Sequence, residues 1–331
     1  MKPHALKFLV CPSCRSEFSL SAATQDGQEV ERGLLTCRGC AVTYPIAGGV
    51  PRFVASGAYA SSFGFQWQTF RHTQLDSQNR TRISADTLFA ATGWTPEDYR
   101  GRLVLDVGVG SGRFAEVAAE AGGEVVGIDL TAAVDAAYAS IGRRPNVHIV
   151  QADVFHMPFR DGTFDKAFSI GVLHHTPDPE AAFGRMVASV REGGAVAIYV
   201  YARYGPAHRF ADSIRVVTTR LPLKLMLAAS TVAVPLYYVY RLPLVGGMLR
   251  IVAPISMHPN WRWRWLDTFD WYTPRYQFKY LYPEVFRWFR ANGLEQIEIF
   301  DEPIKMRGIK MQPAARTGAA AAGAPAELAA V

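Results

Sequence analysis

The sequence predicts an α/β protein: a doubly wound, mostly parallel sheet of seven strands that follows a small cysteine-bearing module and is interrupted late by a largely helical insertion. Three observations carry this. All four cysteines fall within the first 40 residues, as two Cys-x2-Cys pairs. From Leu103 onward, short apolar runs alternate with helix-like stretches, the order of a parallel sheet. After Arg203 that alternation gives way to long apolar text with few charges. The expected layout is a cysteine module at 1–55, a helical connector at 56–101, the core at 102–202 and 276–312, the insertion at 203–275 and a disordered tail at 313–331.

The 331 residues are 49% apolar and 19% charged, with a mean hydropathy of +0.03. That balance suits a globular chain and excludes disordered and collagenous classes. Met1-Lys2-Pro3-His4 leads into a Leu/Phe/Val stretch that Cys11-Pro12 ends, too short for a secretory leader, so a cytoplasmic location is expected. The net charge of +6 is local: Met1 to Ala202 carries 18 Lys and Arg against 20 Asp and Glu, and the remainder 17 against 9. Between Arg203 and Pro283 stand 11 basic residues and only Asp212, Asp267 and Asp270 as acids. Such a stretch suits nucleic acid, an anionic membrane surface or a phosphorylated substrate.

Cys11-x2-Cys14 and Cys37-x2-Cys40 are separated by 22 residues. Two such knuckles present four thiolates that can converge tetrahedrally on Zn2+, a structural ion that folds a segment with little core of its own. Two disulfides or a redox pair are the competing readings. Short strands suit the intervening text, with turn residues at Asp26-Gly27 and strand formers around Leu34-Leu35-Thr36. The run Leu6 to Cys14, and Cys37-Arg38-Gly39-Cys40 followed by Tyr44 to Pro51, resemble the Trm112-like zinc-ribbon family over about residues 5–54. The resemblance implies a module that partners a methyltransferase, as an activator or a fused domain, and does not itself catalyse.

Leu103-Val104-Leu105-Asp106-Val107 reads as a buried strand, and Gly108-Val109-Gly110-Ser111-Gly112 leads at once into a helix from Arg113 to Glu120. Glycines here allow positive φ and close approach of a ligand to the helix N-terminus. Val125-Val126-Gly127-Ile128-Asp129 forms a second strand ending in an acid 17 residues after Gly112, placed to accept hydrogen bonds from ribose hydroxyls. Gly110-x-Gly112-x-x-Ala115 also satisfies the dinucleotide fingerprint, so glycine spacing alone leaves a nicotinamide enzyme open. Further strands follow at Val147 to Asp153, Phe164 to Ile170 and Ala195 to Tyr201. A helix begins at Asp178-Pro179, with the acid as cap and the proline in the first turn. Pro283 to Asn292 reads as the last helix, with Glu295 to Phe300 and Lys305 to Lys310 as a closing hairpin.

Leu105 to Gly112, Gly127-Ile128-Asp129, Gln151-Ala152-Asp153 followed by Met157-Pro158-Phe159, and Phe164-Asp165 to Leu173-His174-His175 together resemble the class I S-adenosylmethionine-dependent methyltransferases, in particular the small-molecule group, over about residues 102–202. The resemblance implies a Rossmann-like seven-stranded methyltransferase sheet. In S-adenosyl-L-methionine binding, Gly108, Gly110 and Gly112 would line the methionine and ribose side and Asp129 would hold the ribose hydroxyls. Asp153 would meet the adenine amino group with Val154 stacked nearby, and Leu130 and Ile170 join the cofactor-binding set. Asp106 would act from beneath the glycine turn, and Asp165 is read as a loop anchor.

Methyl transfer from a sulfonium is an in-line displacement, driven by alignment and exclusion of water, and it needs a base only when the nucleophile must lose a proton. His174 and His175 lie just past the fourth strand, at the edge of the sheet where ligands bind. His175 is the named candidate for that base, with loop shaping and packing as the plainer roles. Tyr201 and His208 are weaker candidates. Phe63 to Trp67 and Thr73 to Asp76 are expected to cover the cofactor, with contacts from Gln66 or Arg71 and helix packing both open.

The insertion carries an uncharged run from Leu225 to Tyr240, flanked by Arg220, Lys224, Arg241 and Arg250, and is too interrupted for a membrane span. Packed lid helices and a membrane-facing lid are both consistent with it. Trp261-Arg262-Trp263-Arg264-Trp265 alternates as a strand would. The expected function is methyl transfer to an apolar or amphipathic small molecule, with an anionic membrane surface and a protein partner of the ribbon as further expected contacts. The alternatives are an RNA-base methyltransferase, less favoured because no base-reading motif is present, and a non-catalytic cofactor-binding scaffold.

Overall fold

A computed structural model describes residues 1–27, 29–54, 60–203, 208–301 and 304–311. The expected tail at 313–331 and the His208 side chain lie outside the described residues.

The cysteine module is a four-stranded antiparallel sheet. β1 (Phe18–Asp26) pairs with β2 (Glu29–Cys37), which pairs with β3 (Thr43–Ala47), and β4 (Val50–Pro51) closes on β3. One knuckle precedes β1 and the other ends β2, so the hairpin brings them together. The connector follows as α1 (Ser61–Phe70), α2 (Asp76–Asn79), α3 (Ile83–Thr92) and α4 (Pro96–Tyr99).

The core alternates β5 (Leu103–Val107), α5 (Arg113–Glu120), β6 (Glu124–Asp129), α6 (Ala133–Ala137), β7 (Val147–Gln151), β8 (Phe164–Ile170), α7 (Pro179–Ser189) and β9 (Val190–Tyr199). β5 to β7 are buried along nearly their whole length, which is why they read as unbroken apolar runs. The Asp178 carboxylate accepts the Ala181 N–H at 3.0 Å and starts α7.

The insertion contributes α8 (His208–Thr218), α9 (Leu223–Ser230), α10 (Ala233–Val239), α11 (Val245–Val252) and α12 (Trp261–Tyr272). α13 (Tyr282–Ala291) then leads to β10 (Leu294–Phe300) and β11 (Lys305–Lys310). The seven strands run in the order β10-β11-β9-β8-β5-β6-β7; β5 to β9 are parallel and β11 is antiparallel to both neighbours. Fold class therefore follows the sequence prediction: a doubly wound seven-stranded sheet, a cysteine ribbon and a helical insertion.

One expectation is corrected. Trp261 to Trp265 is helical, because the Asn260 side-chain oxygen accepts the N–H groups of Arg262 and Trp263 at 2.9 and 3.2 Å and caps a helix there. Trp261 and Trp265, four residues apart, stack with ring centroids 6.5 Å apart, while Trp263 is buried on another face. Among the described residues no helix is long and apolar enough to cross a membrane.

The ribbon docks on the β7 end of the sheet. Val10 N–H donates to the Pro158 carbonyl and Phe53 N–H to the Gln151 carbonyl, both at 2.8 Å, with single bridges between Leu9 and Phe159 and between Arg52 and Gln151. The Lys2 ammonium donates to the Gly142 and Val147 carbonyls at 2.6 and 2.9 Å, and the Arg52 guanidinium reaches Gln151 and Asp135. Phe8, Leu9, Phe18 and Leu35 belong to one continuous core with Leu105, Ile128, Val150 and Phe159 of the sheet region.

Candidate functional site

A doubly wound sheet opens a crevice where the chain switches from one side to the other, here between β5 and β8. A cavity of about 410 Å³ lies there, walled by Val107, Asp129 and Ile170 at the carboxyl ends of β5, β6 and β8. α1 supplies Phe63, Gln66 and Trp67, and α12 supplies Trp263, Leu266, Asp267, Asp270 and Trp271.

Gly108 and Gly110 line the cavity with φ of 86° and 53°, a backbone region that L side chains rarely adopt. A Cβ on Gly110 would stand 3.0 Å from the Trp67 ring. Gly112, at φ 94°, is the cap of α5 and is not part of the wall. The Asp129 carboxylate accepts the Gly110 N–H at 3.1 Å, the Thr131 N–H at 2.9 Å and the Thr131 hydroxyl at 2.8 Å. Burial raises its pKa and these bonds oppose the rise. Leu130, Val154 and Ile170 line the same cavity.

Asp106 and Asp153 stand outside the wall. Asp106 is buried beneath the turn, and among the described residues its Oδ2 has no hydrogen-bond partner. Burial, followed by repulsion from Asp129, raises its pKa well above the usual carboxylate range. The Asp153 carboxylate accepts the Phe155 N–H at 3.0 Å and caps a short turn. Asp165 accepts the Leu103 N–H at 2.8 Å and pairs with Arg191 at 2.7 Å, so it ties β8 to its neighbours.

His175 lines the cavity and His174 does not. The His175 Nδ1 lies 2.7 Å from the Tyr276 carbonyl, so that nitrogen carries the proton and Nε2 is the free acceptor. Burial lowers its pKa to about 4, against the opposing Tyr276 bond. His174 is fully buried with its ring 3.9 Å from that of Tyr201. Tyr201 lines the cavity and stays protonated, since burial and then Asp270 raise its pKa. Arg71 is exposed and outside the wall, whereas Gln66 and Gln74 are in it.

Sequence reasoning missed the two carboxylates of α12. Asp267 accepts the Ser256 hydroxyl at 3.0 Å and faces Gln74 at 3.5 Å. Its pKa is pushed up to about 7 by burial and by Asp270, against that Ser256 bond and Arg113. Asp270 is pushed up to about 6 by burial, with hydrogen bonding from Gln66 and the charge of Arg215 opposing. Trp263, Leu266, Asp267, Asp270 and Trp271 fall at i, i+3, i+4, i+7 and i+8, one face of a helix. That stripe was the available signal, hidden by reading the Trp/Arg alternation as a strand.

Four buried polar atoms of the wall have no hydrogen-bond partner among the described residues: Gln66 Oε1, Ser111 Oγ, Arg113 Nε and His175 Nε2. Buried polar atoms are rarely left unpaired, so this set fits a polar ligand in the cavity.

In the ribbon, the four cysteine sulfurs lie within 4.8 Å of one another, with Cys11 to Cys40 at 3.7 Å and Cys14 to Cys37 at 3.3 Å. All four are free, and these separations exceed the ~2.05 Å of a disulfide. A tetrahedral thiolate site with ~2.3 Å metal bonds needs sulfurs about 3.8 Å apart. The Gly39 and Cys40 N–H groups both donate to the Cys37 sulfur at 3.4 Å.

In comparison with known proteins the same two parts of the chain are matched separately. A solved complex of the Haloferax volcanii Trm112 methyltransferase activator and a methyltransferase aligns with a TM-score of 0.47 and 13% identity, over 77% of this chain and 100% of that one. A malonyl-[acyl-carrier protein] O-methyltransferase of Pseudescherichia vulneris is 32% identical over 177 residues, 53% of this chain and 66% of the relative. A demethylmenaquinone methyltransferase of Renibacterium salmoninarum is 30% identical over 134 residues, 39% of this chain and 53% of the relative. The chain spans between 24% and 66% of the length of such curated relatives. Residues 105–198 match the family described as methyltransferase domain, and residues 2–49 the family described as Trm112p-like protein. The chain thus joins a Trm112p-like domain to a methyltransferase domain.

Proposed function

We propose that the protein transfers a methyl group from S-adenosylmethionine to an apolar or amphipathic small molecule, of the quinone, lipid-linked or secondary-metabolite kind. The observation that carries this is one cavity in which the Gly108–Gly110 turn and Asp129 face the aromatic residues and paired carboxylates of α12. When bound, the cofactor supplies a sulfonium methyl group open to in-line displacement.

Asp129 would hold the ribose hydroxyls, and Leu130, Val154 and Ile170 would enclose the base. Asp106 serves that site from beneath the glycine turn, and Asp153 by fixing the loop that follows it. Phe63, Trp67, Tyr201 and Trp271 give the acceptor a largely aromatic wall. A hydroxyl or amine acceptor must lose a proton. Asp270, near 6, is ionised at neutral pH yet basic enough to take it, whereas His175 is the weaker base and serves as a hydrogen-bond acceptor through Nε2. The four thiolates would hold Zn2+ as a structural ion, and the ribbon's partner is the methyltransferase domain of its own chain, on which it docks.

Calorimetric titration with S-adenosylmethionine and S-adenosylhomocysteine tests the cofactor site. The wild type should bind both. Asp129→Asn and Gly110→Leu should bind ~10-fold to ~100-fold more weakly with unchanged circular dichroism, the loss expected for one or two hydrogen bonds to a charged group. Unchanged affinity in both variants would remove the site from this cavity.

A further inference from the structure

The insertion uses one side to wall the cavity and, among the described residues, leaves the other unpartnered. α9, α10 and α8 pack on α12, and α11 packs on α8. The outward residues of these helices and their connections are large and apolar: Val216, Val217, Leu225, Val232, Tyr238 and Leu242 are all exposed, Tyr238 at 70%. The tip between α10 and α11 is the extreme case. Leu244 is 92% exposed, and its φ of 63° is uncommon for a bulky residue. Met248 follows one turn later at 66%.

The charge of this region has a single sign. From Ser213 to Leu266 there is no acidic residue, against seven arginines and lysines. Arg215 and Arg264 are buried; Arg264 donates to the His258, Val234 and Pro259 carbonyls and ties the helices together. Arg220, Lys224, Arg241, Arg250 and Arg262 are exposed, and among the described residues none of the five is in an ion pair. Trp261, also exposed, sits beside Arg262 with the guanidinium 5.2 Å from its ring.

Exposed apolar side chains interleaved with cations, on helices too short to span, are the features of a surface that lies in a bilayer interface. Both the apolar insertion and the attraction to negative headgroups then favour the bound state. We infer that this outer face docks on an anionic lipid surface. Charge complementarity selects that occupant: a protein partner or a second copy of this chain would have to bring its own acidic face, and this region has none to offer in return. The inference goes beyond the proposed methyl transfer and does not need it, although a docked lid would set the α12 wall of the cavity beside the lipid phase.

Co-sedimentation of the full chain with phosphatidylcholine vesicles, with and without an equal part of phosphatidylserine, tests it. Binding to the mixed vesicles should exceed binding to neutral vesicles by at least ~10-fold and weaken as salt is raised. Leu244→Asp with Met248→Asp, and separately Lys224→Glu with Arg241→Glu, should each reduce it by ~10-fold or more; none of the four residues lines the cavity. Equal binding to both vesicles, no binding to either, or full binding by both variants would overturn the docking. Concentration-dependent dimers that the Leu244→Asp and Met248→Asp variant abolishes, in a chain that ignores vesicles, would assign the face to a second copy instead. Cofactor titration of the same preparations keeps the two readings apart, since vesicle binding without cofactor binding would sink the methyl transfer and leave the docking standing.

Discussion

The ribbon and the insertion are both appended to one sheet, and they are attached by opposite means. The ribbon shares the sheet's hydrophobic core, adds backbone bonds at Val10 and Phe53, and seals the seam with Lys2 and Arg52. The insertion meets the sheet across a cavity, through a helix whose inner face carries two tryptophans, a leucine and two aspartates, and turns apolar side chains outward. On the proposed function, the ribbon is a structural buttress and the insertion a wall of the reaction site. Loss of the first should be read in stability and loss of the second in chemistry.

The largest effect expected from that contrast is replacement of the cysteines proposed to hold Zn2+. Cys11→Ser with Cys37→Ser should unfold the ribbon and expose the core it shares with β5 to β7, lowering Tm by roughly 10 °C and cutting soluble yield. A thermal scan with zinc analysis checks this; an unchanged Tm in a metal-free variant would make the ribbon an ornament. Next comes excision of the insertion. Arg203 N–H donates to the Tyr280 carbonyl at 2.7 Å, so the chain returns beside Arg203 five residues past the end of the insertion and a short glycine-serine linker can replace residues 204–275. The trimmed chain should keep the circular dichroism of a folded sheet and lose methyl transfer by ~100-fold or more. Collapse of the fold would show that the insertion is a buttress as well.

Why the ribbon was legible in the sequence and the wall was not follows from how each is specified. Cysteine spacing is a local constraint, and so is a strand buried on both faces: Leu103 to Val107 and Phe164 to Ile170 appear with the bounds the apolar runs suggest. Asp129 was legible because a strand ends on it beside a glycine turn. The wall depends on a period that five residues cannot define. Trp261 to Trp265 fits a strand over its own length, and only the cap at Asn260 and the stripe continuing to Trp271 make it a helix. The positions of Gly112 and Asp153 outside the cavity, and the docking of the ribbon on β7, are tertiary facts that no local pattern encodes.

A smaller effect separates Asp270 from His175. With Asp270 as the base, kcat/KM should rise with pH through about 6 and level off above it. Asp270→Asn should lower the rate by ~100-fold and abolish that limb, while His175→Asn should keep it. A limb that survives in Asp270→Asn would return the role to another group.

The smallest concerns stability. A carboxyl whose folded pKa lies above its unfolded value of ~3.9 favours the folded state below that value, and the contribution is lost as pH rises through the folded pKa, about 7 for Asp267 and about 6 for Asp270. The native protein should therefore lose stability between pH 4 and pH 8 on account of this pair. Asp267→Asn should recover a few degrees of Tm at pH 8 and none at pH 4. A gain of equal size at both pH values would trace the effect to packing, and no gain at pH 8 would deny that burial strains the pair.

The most direct test of the whole account incubates pure protein with methyl-labelled S-adenosylmethionine and an extract of its own host, then separates organic-soluble, nuclease-sensitive and protein-bound label. Label is expected in the organic phase, reduced in proportion to the weakened cofactor binding with Asp129→Asn and strongly reduced with Asp270→Asn. Nuclease-sensitive label would contradict the acceptor and make an RNA base the substrate; no label in any fraction, with the cofactor bound, would reduce the protein to a cofactor-binding scaffold.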